Sequence, residues 1–203
     1  NKSSSFTVFF RGFSNSSCRY PPLLQVASTV RSMSSSVRGT SSREENCRLM
    51  EELQKPGQVS VSVHIRRGDY LDSANRDLFG GICTDAYYKT AISYMKERFP
   101  GVVFYLFSDD PDYVRAQYPG AEYHVVDWNH GADSFYDMQL MSQCTHNICA
   151  NSTFSFWGAR LNENPAKIRI RPSIHKNTQV CIPEEMKELW KGWTLITPQG
   201  EIL

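Results

Sequence analysis

No run of about 18 consecutive apolar residues, the length that crosses a bilayer, occurs in the chain; its longest apolar stretches are strand-sized. No G-x-G-x-x-G turn follows any strand-like run, Gly68 and the Gly80-Gly81 pair being the nearby glycines, which argues against a nicotinamide or S-adenosylmethionine Rossmann enzyme. The six cysteines (Cys18, Cys47, Cys83, Cys144, Cys149 and Cys181) lack the paired C-x-x-C spacing of a zinc site. They fit free buried thiols or one or two secretory-pathway disulfides equally well. Excess charge is missing too: 22 basic and 21 acidic residues leave a formal net charge of +1. That balance gives no general attraction to nucleic acid or a membrane surface, so any anion must be held by a local cluster.

Acids are absent before Glu44, while residues 1–43 hold thirteen serines and six basic residues. Such a composition buries too little apolar surface to offset chain ordering and reads as a disordered or targeting-like leader. The chain opens without Met, which suggests a fragment or processed form. Asn1 (NKS) and Asn15 (NSS) match the glycosylation pattern, a weak signal in Ser-rich sequence. Residues 44–58 are expected as a short helical linker that KPG at 55–57 ends. Residues 59–203 are then long enough for one core.

This body alternates. Strands are expected at 59–65, 102–107, 122–126, 146–150 and 167–170, with helices at 84–98, 111–118, 134–143 and 153–162. Strands separated by helices of this length predict βαβ units, hence an α/β, Rossmann-like fold with a mostly parallel sheet. Ligands of such sheets sit at the carboxyl ends of the strands, and chemistry-bearing residues follow three of them.

The first is VSVSVHIRRGDYL, residues 59–71. Val59, Val61, Val63 and Ile65 alternate as in a strand that then runs into Arg66, Arg67 and Asp69. Two guanidiniums at a strand end form planar, permanently charged forks suited to a diphosphate. On spacing alone, surface salt bridges with Asp72 or Asp77 serve as well. RGD at 67–69 as an adhesion tripeptide is disfavoured, because it begins inside an apolar strand.

The second strand ends in FSDDPDYV. Asp110 before Pro111 reads as a helix N-cap with proline at the first helical position, favoured over a D-x-D metal pair with Asp112. Asp109 is better placed to hold the donor edge of a ligand such as guanine. The third block, DMQLMSQCTHNICANSTFSFWGARLN at 137–162, places Asn151, Ser152, Thr153 and Ser155 where a helix begins. The free N–H groups there suit an anion, although a plain cap with packed Phe154, Phe156 and Trp157 accounts for the same residues.

Together HIRRGDYL (64–71), YLFSDDPDYV (105–114) and the third block resemble the inverting α-1,2-fucosyltransferases of glycosyltransferase family 11, with TDAYYKTAISYM (84–95) and KIRIRP (167–172) in support. The resemblance covers about residues 59–197. It implies the C-terminal, donor-binding half of a GT-B glycosyltransferase, a galactoside 2-α-L-fucosyltransferase that moves fucose from GDP-fucose to the 2-hydroxyl of a terminal galactose. The partners implied are GDP-fucose and a galactose-terminated glycan. No cofactor or metal is expected, because fixed arginines can stabilise the departing GDP. Carried over residue by residue, Arg66 and Arg67 would grip the diphosphate, His64 and Asp109 would face guanine and ribose, and Ser152, Thr153 and Ser155 would line the phosphates. Asp69 and Arg66 are the catalytic candidates, Asp69 as general base or as the group that orients Arg66.

The chain also departs from the family. Only 58 residues precede the first motif, so a fragment without the acceptor half, or a non-catalytic GDP-sugar-binding module, is the alternative. Phe156 and Arg160 stand where tryptophans are common, which bears on the acceptor more than the donor. The resemblance implies a Golgi enzyme held by an N-terminal anchor that this chain lacks, or a cytoplasmic enzyme if bacterial.

Overall fold

The computed structural model describes residues 42–203. The expected leader lies outside the described residues except for its last two. The first helix, α1 (Ser42–Leu53), is followed by β1 (Ser60–Ile65), α2 (Ser73–Phe79), α3 (Asp85–Arg98), β2 (Val103–Ser108), α4 (Pro111–Gln117) and β3 (Tyr123–Val126). Then come α5 (Phe135–Gln143), β4 (His146–Ile148), α6 (Thr153–Leu161), β5 (Arg169–Pro172), α7 (Pro183–Leu189) and β6 (Thr194–Ile196). The strands form one sheet in the order β3-β2-β1-β4-β5-β6, and every neighbouring pair is parallel. This is the doubly wound Rossmann order, with its switch point between β1 and β4.

Burial on both faces explains the apolar runs. Val61, Val63, Ile65, Phe104, Leu106, Ile148, Ile170 and Ile196 pack on one side against Tyr87, Tyr88, Ala91, Ile92 and Met95 of α3 and Val114 of α4. Tyr105, Phe107 and Val126 face the other side, where they meet Leu140, Met141 and Cys144 together with Leu49 and Leu53 of α1. The helix expected as a linker is thus packed into this core. Helix starts follow local chemistry: Thr84 accepts a hydrogen bond from Tyr87 N–H at 3.1 Å, and Asp110 accepts one from Tyr113 N–H at 3.2 Å with Pro111 next in line. Strands β4 and β5 differ in extent from expectation: β4 stops at Ile148 because residues 149–152 turn toward α6, and β5 runs on to Pro172. Helices α2 and α7 and strand β6 were not expected. Among the described residues Cys47, Cys83, Cys144, Cys149 and Cys181 are free thiols. No described helix is long and apolar enough to cross a membrane.

Two polar networks stitch these layers. Asn147, fully buried on β4, donates to Ser62 Oγ and to Met141 O, both at 2.7 Å, and accepts from Asn162 Nδ2 at 2.8 Å. At the opposite end of α5, Asn46 and Asn129 exchange hydrogen bonds at 2.7 and 2.8 Å, Trp128 Nε1 donates to Asn46 at 2.7 Å, and Asn129 donates to Asp137 at 2.7 Å. Burial pushes the Asp137 carboxyl up to about 6 against the Asn129 hydrogen bond and the weaker pull of His130.

Replacing Asn147 with Leu takes a buried hydrogen bond from each of Ser62, Met141 O and Asn162, of which Asn162 still donates to Cys144 O, so chemical denaturation should show a loss of roughly 2–4 kcal/mol. Asp137 makes a second expectation. Its folded value lies above its unfolded one, so between pH 3.8 and about 6 the native state holds a proton that the unfolded chain has lost. Stability should therefore fall as pH rises through that window, by on the order of 3 kcal/mol at 1.36 kcal/mol per unit, and Asp137→Asn should abolish that slope in denaturation curves from pH 4 to 7.5.

Candidate active site

Strand β1 ends at the switch point, and its last residues and the following turn carry the expected cluster. Arg66 donates from Nε to Asp69 Oδ1 at 2.9 Å, its Nη2 lies 2.8 Å from the same oxygen, and its Nη1 pairs with Asp109 Oδ2 at 3.0 Å. The backbone N–H of Arg67 donates to Asp109 Oδ1 at 2.9 Å. Its side chain turns the other way: Nε donates to Asp110 Oδ2 at 3.1 Å, and the guanidinium carbon lies over the Tyr113 ring, 3.5 Å from its centroid. Asp110 therefore caps α4 with one oxygen and holds Arg67 with the other. Asp112, its partner in the D-x-D reading, pairs with Arg115 at 3.1 Å.

Asp109 uses both oxygens to tie the end of β2 to two successive residues after β1. Gly68 makes room for it, since a Cβ there would sit 2.4 Å from Asp109 Oδ2. Residues 68–70 form a short 3-10 turn, closed by Tyr70 N–H donating to Arg67 O at 2.9 Å. Tyr70 then reaches across the switch point, where its hydroxyl donates to Asn151 O at 2.9 Å.

The loop after β4 supplies the other wall. Ser152 caps α6 by accepting from Phe154 N–H at 3.2 Å, and Thr153 is exposed at the first helical position. Ser155 is buried, with its hydroxyl turned back to Ser152 O at 3.3 Å and Ala150 O at 3.5 Å, so it braces the turn from within. Asn151 is the hub that composition alone does not single out. It donates to Phe79 O at 3.1 Å and His175 O at 3.2 Å and accepts from Cys83 Sγ at 3.5 Å, which fixes three loops at once.

His64 precedes the arginines on β1. It is 5% exposed, its ring lies 5.7 Å from that of Phe154, and its backbone carbonyl accepts from Tyr88 OH at 2.9 Å. Burial first, and then the Arg66 charge, lower its pKa to about 3, so the imidazole is neutral at physiological pH. Its Nδ1 is buried and without a partner, a state that native structures rarely leave unexplained. Asp137 belongs to the same end of the sheet, because α5 runs antiparallel to the strand that follows it and starts at their carboxyl edge. Among the described residues no three His, Cys, Asp or Glu side chains converge as a metal-binding group.

Five of the eight expected residues, His64, Arg66, Arg67, Asp69 and Asp109, thus gather at the ends of β1 and β2 on one side of the switch point, and the turn that carries the other three, Ser152, Thr153 and Ser155, stands opposite. Tyr70 and Asn151 were legible only as members of the quoted motifs; nothing in their residue types announced a cross-link.

The family model of glycosyl transferase family 11 matches residues 3–197, a range that opens inside the expected leader. An alpha-1,2-colitosyltransferase of Escherichia coli is 42% identical over 117 residues, which cover 56% of this chain and 40% of that protein. The O-antigen biosynthesis glycosyltransferase WbnK of Escherichia coli is 40% identical over 114 residues, 56% of this chain and 38% of that protein. The galactoside alpha-(1,2)-fucosyltransferase 1 of Ateles belzebuth is 32% identical over 127 residues, 59% of this chain and 34% of that protein. The matched segments span two fifths or less of these relatives' length. A match of that extent to one family model, on a parallel sheet whose motifs gather at the switch point, makes this chain a member of glycosyl transferase family 11.

Proposed function

We propose that this chain is the donor-binding part of a fucosyltransferase that takes GDP-fucose and transfers fucose, with inversion, to the 2-hydroxyl of a terminal galactose. The observation that carries this reading is the pair of guanidiniums fixed by Asp69, Asp109 and Asp110 opposite the start of α6. A guanidinium has five N–H donors. Arg66 uses three on the two carboxylates and Arg67 one, so both keep donors for phosphate oxygens.

The diphosphate lies between these arginines and the Ser152–Thr153 helix start, whose dipole also favours an anion. Neutral His64 offers its unpartnered Nδ1 to the nucleoside, with Asp109 beside it. As fucose departs, negative charge grows on the β-phosphate, and donors already held in place stabilise it without reorganisation. Asp69 is the general base: one oxygen holds Arg66, and the other, on a half-exposed side chain, is open to an acceptor hydroxyl. The acceptor is then a galactose-terminated glycan. A non-catalytic GDP-sugar-binding module is the second reading, since the fixed arginines and the helix start would hold the nucleotide with or without an acceptor at Asp69.

GDP at a hundredfold excess over its dissociation constant should raise the melting temperature by roughly 5–10 °C, with EDTA making no difference. Arg67→Ala keeps the backbone bond to Asp109 but should weaken GDP by on the order of 3 kcal/mol, and Arg67→Lys should restore only part. No stabilisation by GDP would overturn the proposal. Asp69→Asn should lower turnover with GDP-fucose and a lactose-like acceptor by roughly a hundredfold to ten-thousandfold while GDP binding stays within about threefold. Loss of GDP binding in step with turnover would make Asp69 a positioning residue, and GDP binding with no product in the parent chain would favour the binding module.

A further inference from the structure

A cavity of about 300 Å³ opens beside the helix start of α6, at the carboxyl ends of β4 and β5, on the side of the switch point away from His64. Ser152 and Thr153 line it, so it continues the crevice assigned above to the diphosphate. Its walls are aromatic. Phe156 and Trp193 stack at 5.7 Å with planes 13° apart, and Trp190 stands edge-on to both at 5.8 and 5.9 Å. Away from Ser152 and Thr153 its polar groups are few: Arg171, His175 and Gln179.

Arg171 needs explaining. It is 7% exposed, and among the described residues no carboxylate pairs with it; its Nε donates to Pro172 O at 3.2 Å, and its guanidinium lies over Trp190, 3.4 Å from the ring centroid. An enclosed cation without an acid is costly, and aromatic stacking offsets only part of that. A ligand whose oxygens accept from the guanidinium would complete its surroundings.

We propose that this cavity holds the 6-deoxyhexosyl ring of the donor, with the apolar face and the methyl carbon of the sugar against Phe156 and Trp193 and its ring hydroxyls toward Arg171 and Gln179. The inference rests on the donor reading above and extends it. Three features support it. A few placed polar groups on a mainly apolar lining are the usual composition of a ligand site, and 300 Å³ lies at the small end of such sites, suited to one ring and too small for a nucleoside diphosphate. The three parts of a nucleotide sugar then follow the sheet edge in order: nucleoside by β1 and β2, diphosphate at the α6 start, sugar by β4 and β5. Finally, an aromatic wall suits a methyl group better than the hydroxymethyl of an ordinary hexose, whose extra hydroxyl would lose its water there.

The test is a comparison of affinities of the full chain for GDP, GDP-fucose and GDP-L-galactose, which differs from GDP-fucose by one hydroxyl on that methyl carbon. The parent chain should prefer GDP-fucose over GDP-L-galactose by roughly tenfold to a hundredfold. Trp193→Ala should reduce that preference to within about threefold while leaving the affinity for GDP itself unchanged. Phe156→Leu, a milder change that keeps the site apolar, should reduce it in the same direction and guards against a folding defect, with near-ultraviolet circular dichroism as the check. Unchanged preference in both variants, with GDP still bound, would overturn the sugar site and leave the diphosphate reading intact. Failure of the parent chain to bind GDP would overturn both.

Discussion

The Asp109 carboxylate is the constraint on which the crevice depends. One oxygen takes the backbone N–H of Arg67 and the other the guanidinium of Arg66, so a single side chain at the end of β2 fixes both the path of the chain after β1 and the direction of its first arginine. The approach is so close that residue 68 can carry no Cβ without displacing the acid. Glycine here answers to a carboxylate above it, rather than to turn geometry. Because β1 and β2 pair in register through Ile65 and Ser108, the anchor stands on rigid strands, and the guanidinium inherits their precision. Preorganised charge of this kind acts in a transition state without a reorganisation cost, which separates a strand-end arginine from one waving on a surface loop.

The sequence was most legible where local and global signals agreed. Alternating valines, the Asp110-Pro111 cap and the Thr84 start each carry their own physics, and the expected α/β sheet follows from their order. Short elements were harder. Strand β6 is three residues long, and α2 buries none of its side chains, so neither leaves a periodic pattern; α7 did carry a signal, in Pro183 followed by Glu184 and Glu185. The residue types of the arginine cluster were readable, whereas only part of its wiring was. Spacing alone allowed Asp72 or Asp77 as salt-bridge partners and the resemblance offered Asp69 as the group that orients Arg66; the fold supplies Asp69, Asp109 and Asp110. Two of those three come from a strand 43 residues away, a relation only tertiary structure can make. Arg171 was hidden for the same reason: in KIRIRP it looks like any alternating charge beside an apolar residue, and its burial depends on aromatic neighbours far along the chain.

Electrostatics sharpens the picture. Around Arg66 and Arg67 stand three carboxylates, so that group by itself carries no surplus positive charge with which to attract a diphosphate. Its value lies in orientation: the acids aim the forks and leave donors uncovered. The missing attraction comes from across the switch point, where the positive end of the α6 dipole stands and Arg171 adds a cation that no described acid answers. A ligand that spans both sides gains from each, while one confined to the β1 side meets a nearly self-neutralised cluster. The charge distribution therefore favours an elongated anion lying across the strand ends over a small anion at the arginines. That preference is independent of any likeness to relatives, and it is what a nucleotide sugar, with its charge at the middle of its length, would satisfy.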